Sequence, residues 1–224
     1  MNKAIFFKEW IKTKNAFWIL FSILGLVSIY IIFQLYHTCE FVSAIRVWNN
    51  YLIDDKGAYI NLMKLLPLLS GIILAFVQFV PEVTLKRIKL TLHVPYPQKR
   101  MLFMMISIGV LELLAIFGFS LGIYIIYLST IVSHEIVFAS FMVSLPWFIA
   151  GIAAYILVCA ICLEPTWRGR VINALMAAAF INIFFISPFP KSYNYSIVGL
   201  IIVTSLCFLI VLRSMFRFKK GLQD

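Results

Sequence analysis

Few residues in this chain are equipped for chemistry, and their spacing limits what they can do. Cys159 and Cys162 form a C-x-x-C pair, but no second pair or histidine follows at metal-ligand spacing. Three of the four cysteines, Cys159, Cys162 and Cys207, fall in apolar runs, where a free thiol behaves as a small hydrophobe; Cys39 lies outside them. His37, His93 and His134 sit in three separate connections, and no H-E-x-x-H occurs. The chain lacks G-x-x-x-x-G-K-[ST], so it holds no nucleotide phosphates itself. These patterns supply no catalytic residue, no metal ligand and no cofactor-binding residue. What remains is Glu112 and Lys64, two ionisable groups inside apolar runs, and a basic-apolar stretch over 81–100.

The elements that carry these residues follow from composition. Of 224 residues, 63% are hydrophobic and only 12% charged, with a mean hydropathy of +1.00. A soluble domain runs nearer to about 25% charged and has no core large enough to hide so much apolar surface. The chain therefore reads as an all-α, polytopic integral membrane protein in a single domain, 1–224. A helix needs about 20 apolar residues to cross a bilayer, and six runs qualify: 16–36, 59–80, 101–128, 137–162, 171–190 and 196–216. The first is too long for a signal-peptide core and has no small-residue cleavage site, so it is expected to be retained.

A net charge of +10 could in principle mark a nucleic-acid binder. Here the cations lie between apolar runs, which points to topology and anionic membrane lipids instead. On the side of the two termini lie Lys3, Lys8, Lys12 and Lys14, then Lys86, Arg87, Lys89, Lys99 and Arg100. Arg168, Arg170, Arg213, Arg217, Lys219 and Lys220 complete that set. Arg46, Lys56, Lys64 and Lys191 lie on the other. The asymmetry predicts both termini in the cytoplasm.

Residues 1–15 read as an N-terminal interfacial helix, with Phe6, Phe7, Trp10 and Ile11 on one face and Lys8, Glu9 and Lys12 on the other. In the first outer loop Phe41, Ile45, Trp48 and Leu52 recur at helical spacing, predicting a short helix on the outer surface. Between spans two and three, Pro81 suits a first helical position and Glu82 suits the positive end of the helix dipole. Leu85, Ile88 and Leu92 then form an apolar stripe beside Lys86, Arg87 and Lys89, until Pro95 and Pro97 end the pattern.

The six-span plan, the amphipathic start around Lys8-Glu9-Trp10, and above all the 82–100 segment resemble the permease subunits of type-2 ATP-binding cassette exporters. The likeness in that segment is a Glu, a basic-apolar helix, a Leu, then a Pro and an Arg before span three. It implies that 82–92 is a cytoplasmic coupling helix docking on a separate ABC ATPase subunit, which would bind the ATP. Glu82, Leu85, Arg87, Ile88, Leu92 and Arg100 are the residues it marks for that contact, with the short loop 164–170 a lesser one. It further implies a homodimer or heterodimer of permease chains in the plasma (inner) membrane. A haem-exporter-type permease and a non-transporting membrane scaffold remain open as alternatives.

Within the spans, Glu112 lies eleven residues past Met101, near mid-bilayer by helical rise, and an acid there must face protein, a seam between copies or an aqueous path. Lys64 lies nearer the outer end of span two. Asn173 and Asn182 are further polar candidates in span five. Gly118-x-x-x-Gly122, Ala150-x-x-x-Ala154 and the Ala174/Ala178 pair permit close helix contacts, and Pro67 and Pro146 are expected to kink their spans.

Overall fold

The computed structural model of the protein describes residues 2–52, 58–85, 97–131, 134–186, 193 and 195–219. All secondary structure among them is helical: α1 (Asn2–Leu52), α2 (Ala58–Thr84), α3 (Gln98–Ile131), α4 (His134–Leu163), α5 (Trp167–Asn182), a 3-10 turn (Ile183–Phe185), α6 (Ile197–Leu206) and α7 (Phe208–Lys219). Six stretches are long and apolar enough to cross a membrane: Lys3–His37, Met63–Thr84, Gln98–Ile131, Val137–Leu163, Trp167–Phe185 and Ile197–Lys219. The last joins α6 and α7 across a slight break at Cys207. The protein is a multi-pass membrane protein with six such helices among the described residues.

Two boundaries differ from the sequence expectation, each for a physical reason. Residues 1–15 and the outer segment 41–52 were expected as separate helices; α1 instead runs through both, its 51 residues rising about 76 Å at ~1.5 Å each. Between Asn2 and Leu52 there is no proline and only Gly25, so nothing breaks the helical hydrogen-bond ladder. The polarity of its first turns is also inverted relative to a helix with a watery polar face. Glu9 and Thr13 are buried against the bundle, while Phe6, Phe7 and Ile11 face outward. At the second boundary Pro81 does not open a new helix; it lies in the last turn of α2, which continues to Thr84. Of the 82–92 segment, Arg87, Ile88 and Leu92 lie outside the described residues, as do Lys56 and Lys191.

α4 is the axis of the bundle. It packs on α2 along one side, on α5, α6 and α7 along another, and touches α3, while α1 lies across α3 and α2. The α2–α4 crossing is as close as two backbones allow. A Cβ on Gly71 would collide with the Gly151 carbonyl, and one on Gly151 would lie 2.5 Å from the Pro67 carbonyl oxygen. Ala150 and Ala153 are fully buried too, but they pack with Phe184 and Leu200; such van der Waals contacts hold the helices where no hydrophobic force distinguishes protein from lipid. The other two small-residue pairs make no such contact. Cβ atoms on Gly118 or Gly122 would meet nothing within 4 Å, and Ala174 and Ala178 are exposed. The α1–α3 seam is held by Phe21 stacked on Phe119 at 4.3 Å between ring centroids and by a buried Ser28–Ser120 hydrogen bond of 2.8 Å. Outward residues such as Trp18, Leu26, Phe33 and Ile126 are apolar and exposed, which suits contact with acyl chains.

Candidate functional site

Four helices bring their polar side chains to one layer near the end of the bundle where α1 starts and α2 stops. α1 contributes Glu9, Lys12 and Thr13 from one face at i, i+3 and i+4, with Lys8 beside them. α2 contributes Gln78 and Glu82, again one turn apart; α3 contributes Glu112 and the Met105 carbonyl, and α4 contributes Tyr155. Glu9, Thr13, Gln78 and Tyr155 are fully buried, and Glu82 and Glu112 nearly so.

Their contacts form one connected network. Glu82 Oε1 accepts from Lys8 Nζ at 2.9 Å and from Lys12 Nζ at 3.1 Å. Lys12 Nζ also lies 2.7 Å from Glu9 Oε2, and Lys8 Nζ lies 3.7 Å from Glu9 Oε1. The Gln78 amide donates to Glu9 Oε2 at 3.0 Å and to the Met105 carbonyl at 2.8 Å. Gln78 Oε1 in turn accepts from the Tyr155 hydroxyl at 2.5 Å. The Thr13 hydroxyl donates to Glu112 Oε1. Gly109 makes this possible: a Cβ there would overlap the Tyr155 hydroxyl and stand 2.7 Å from Gln78 Oε1.

The layer holds three carboxylates against two lysines. Burying ions costs several kcal/mol each, which mutual attraction offsets only when the geometry is good and the remaining lone pairs are satisfied. Here they are satisfied in part: Glu9 Oε1, Glu82 Oε2 and Glu112 Oε2 have no hydrogen-bond partner among the described residues. Glu9, Glu82 and Glu112 act here as ion-pair and hydrogen-bond partners of lysine, amide and hydroxyl groups, and no group of three His, Cys, Asp or Glu side chains among the described residues is placed to hold a metal ion.

The residues singled out from sequence are distributed as follows. Glu82, marked as a surface contact, is buried and paired inward. Leu85 is exposed, and Arg100 is exposed in the first turn of α3. Glu112 is not an isolated mid-span acid, since Thr13 of α1 bonds it within the layer. Lys64 is elsewhere, with its ammonium 5.9 Å from the centroid of the Phe185 ring, so the two do not pair. Asn173 donates weakly to Ser214 at 3.4 Å, and Asn182 donates to the Ala178 carbonyl of its own helix. Cys159, Cys162 and Cys207 are free thiols.

Sequence reasoning left Glu9, Lys12, Thr13, Gln78 and Tyr155 without a shared role. The signal was present in part, since Glu9 and Thr13 sit at i, i+4 in a run otherwise rich in aromatic residues. A second pattern is formally present, Gly118-x-Ser120-x-Gly122, with the letters of a nucleophile elbow. That motif needs a strained strand-to-helix turn, whereas Ser120 is mid-helix, buried and bonded to Ser28, so it is a packing residue.

A second, smaller polar assembly ties the α4–α5 connection to α7. Thr166 caps α5, its hydroxyl accepting from the Gly169 amide at 3.2 Å. Buried Glu164 lies 3.2 Å from Arg217 Nε, accepts from the Thr166 hydroxyl, and its carbonyl accepts from Arg170 Nε at 2.8 Å. Glu164 is thus an internal strut rather than a free loop acid.

Fold and polar layer together define a multi-pass membrane protein, helical with six long apolar helices among the described residues, and with a four-helix ionic network at one end. Comparison with protein-family models, with characterised proteins and with solved structures finds no match.

Proposed function

We propose that the chain is the membrane-spanning subunit of an ATP-binding cassette exporter, working as a pair of such subunits with a separate ATPase that binds and hydrolyses ATP. In this reading it lies in the plasma membrane with both termini in the cytoplasm. One observation carries the proposal: Glu82, the first residue of the basic-apolar 82–92 segment, is gripped by Lys8 and Lys12 of α1 at 2.9 and 3.1 Å. Through Lys12, Glu9 and Gln78 the same grip reaches the α3 backbone and Tyr155 of α4. A push on that segment is therefore delivered to four helices at once rather than absorbed in a loop. Such a rigid junction is what a coupling element needs in order to turn the closing of an ATPase dimer into movement of a helix bundle, because packed networks switch between discrete arrangements instead of yielding gradually.

In this arrangement Glu82 is an internal anchor, and docking falls to exposed Leu85 with Arg87, Ile88, Leu92 and Arg100. Buried apolar anchors dominate interface energies, about 2 kcal/mol or more each, against a fraction of that for rim charges. The test begins with the neighbouring reading frames, where this reading expects a Walker A ATPase, and continues with copurification of that ATPase with variants of the full chain. Ile88→Asp is expected to release it, and Lys89→Ala to retain it with altered salt sensitivity. Wild-type copurification of Ile88→Asp, with substrate-dependent ATP hydrolysis intact, overturns the assignment of this segment as the coupling element and leaves the exporter reading resting on topology alone. Failure of the wild-type chain to retain any ATPase overturns the exporter reading in favour of a scaffold role.

A further inference from the structure

We propose that the cleft between α5 and α7 is a binding site for one anionic phospholipid, its phosphate held by Arg213 and Arg217 and an acyl chain lying along Ile172, Met176 and Ile210. α5 and α7 both rest on α4 and barely meet each other. They leave a cavity of about 80 Å³ between them, several times the ~10–15 Å³ that one water requires on the same measure. Polar bridges close one end of it, where Arg217 meets Glu164 at 3.2 Å and donates to the Thr166 hydroxyl at 3.4 Å; further in, Asn173 makes only a weak 3.4 Å contact to Ser214.

The order of residues along both walls matches the order of groups along a lipid. At one end stand Gly169, Arg217 and Arg213; one to two turns further into the span come Ile172 and Met176 of α5 and Ile210 of α7. Ile172 and Met176 are 56% and 45% exposed, so the inner walls offer apolar surface without protein to cover it. At the polar end one carboxylate faces two guanidinium groups. Glu164 is already engaged by Arg217 Nε at 3.2 Å and by the Thr166 hydroxyl. The exposed Arg213 side chain has no hydrogen bond or ion pair among the described residues. The surplus is positive and belongs to a guanidinium, the side chain best shaped to take two phosphate oxygens together. An anionic headgroup with its tail in the bilayer supplies both complements in the right sequence. A free phosphate supplies only the first, and a second copy of this cationic face would repel it.

The proposal is independent of the ATPase, so its test needs only this chain. The purified full-length protein is placed in nanodiscs of phosphatidylcholine containing roughly one part phosphatidylglycerol in four, and native mass spectrometry reads the lipid kept on release. Wild type is expected to keep one phosphatidylglycerol in preference to phosphatidylcholine. Arg213→Gln is expected to cut that preference about fivefold, the attraction of one cation for an anionic leaflet, and Arg213→Lys to restore part of it. Met176→Trp, which fills the apolar end without changing charge, is expected to lower retention as well. Lys219→Gln, on the same helix end but outside the cleft, is expected to leave it unchanged. Equal losses for Lys219→Gln and Arg213→Gln overturn the proposal in favour of diffuse surface charge. Displacement of the lipid by millimolar inorganic phosphate as readily as by short-chain phosphatidylglycerol overturns it in favour of an anion-only site. A lipid-free dimer whose stability falls with Arg213→Gln overturns it in favour of an interface between copies.

Discussion

Replacing Lys12 by Met removes one ammonium from the polar layer and keeps the length of the side chain. In the wild-type protein that ammonium lies 2.7 Å from Glu9 and 3.1 Å from Glu82, on a side chain only 15% exposed. Removing one partner of a buried ion pair costs about 3–5 kcal/mol, because the remaining charge is left desolvated. Two compensations lower the figure here. Glu82 keeps Lys8 at 2.9 Å, though that lysine is 41% exposed and partly screened, and Glu9 keeps the Gln78 amide at 3.0 Å. The expected loss is therefore near the lower bound, roughly 2–3 kcal/mol, or about 30- to 150-fold in the folded-to-unfolded ratio. Reversible unfolding in mixed micelles, followed by far-UV ellipticity as denaturing detergent is added, measures it. Lys14→Met, on the exposed side of the same helix, serves as control and is expected to stay within about 0.5 kcal/mol. In a double-mutant cycle with Glu82→Gln the two changes are expected to couple by about 1–2 kcal/mol, since they share a contact. Additive effects, or a Lys12→Met loss no larger than that of Lys14→Met, refute the claim that the layer is a buried and mutually dependent network.

Other consequences are checked in the same unfolding assay or by labelling. Thr13→Val strips Glu112 of its hydroxyl donor and is expected to destabilise by about 1–3 kcal/mol, while Thr13→Ser, which keeps the donor, should be close to neutral. Gly151→Ala forces a Cβ against the Pro67 carbonyl and is expected to cost several-fold more than Gly118→Ala, where the added methyl meets nothing within 4 Å; equal effects contradict the close α2–α4 crossing. Cysteines introduced at Lys3 and Lys220 should be shielded from an impermeant maleimide in intact cells while those at Trp48 and Lys191 react, as the cation asymmetry requires. The reverse pattern overturns the orientation.

Composition and run length alone determined that this is an all-helical membrane protein with six spans. A bilayer admits only structures that satisfy their own backbone hydrogen bonds, and each apolar run had the length for one helix. Even the continuity of α1 was legible in principle, because a stretch with one glycine and no proline has nothing to end it. The polar layer was legible only as scattered letters. On a helical wheel Glu9 and Thr13 share a face, but whether that face meets water or protein depends on what packs there. In lipid the usual rule reverses, so the aromatic side of α1 turns outward and the charged side turns in. Glu82 looked like a surface residue next to basic neighbours; two lysines seventy or more positions earlier in the chain made it an interior one. Glycines behaved likewise. Gly118 and Gly122 carried the recognisable spacing, yet a Cβ on either would meet nothing within 4 Å, whereas Gly71, Gly109 and Gly151 are required by a crossing and a hydroxyl that no local pattern encodes. Spans follow from one-dimensional hydropathy because their partner is the uniform hydrocarbon of the bilayer. The site depended on tertiary structure, because each of its charges is stabilised by a specific group on another helix.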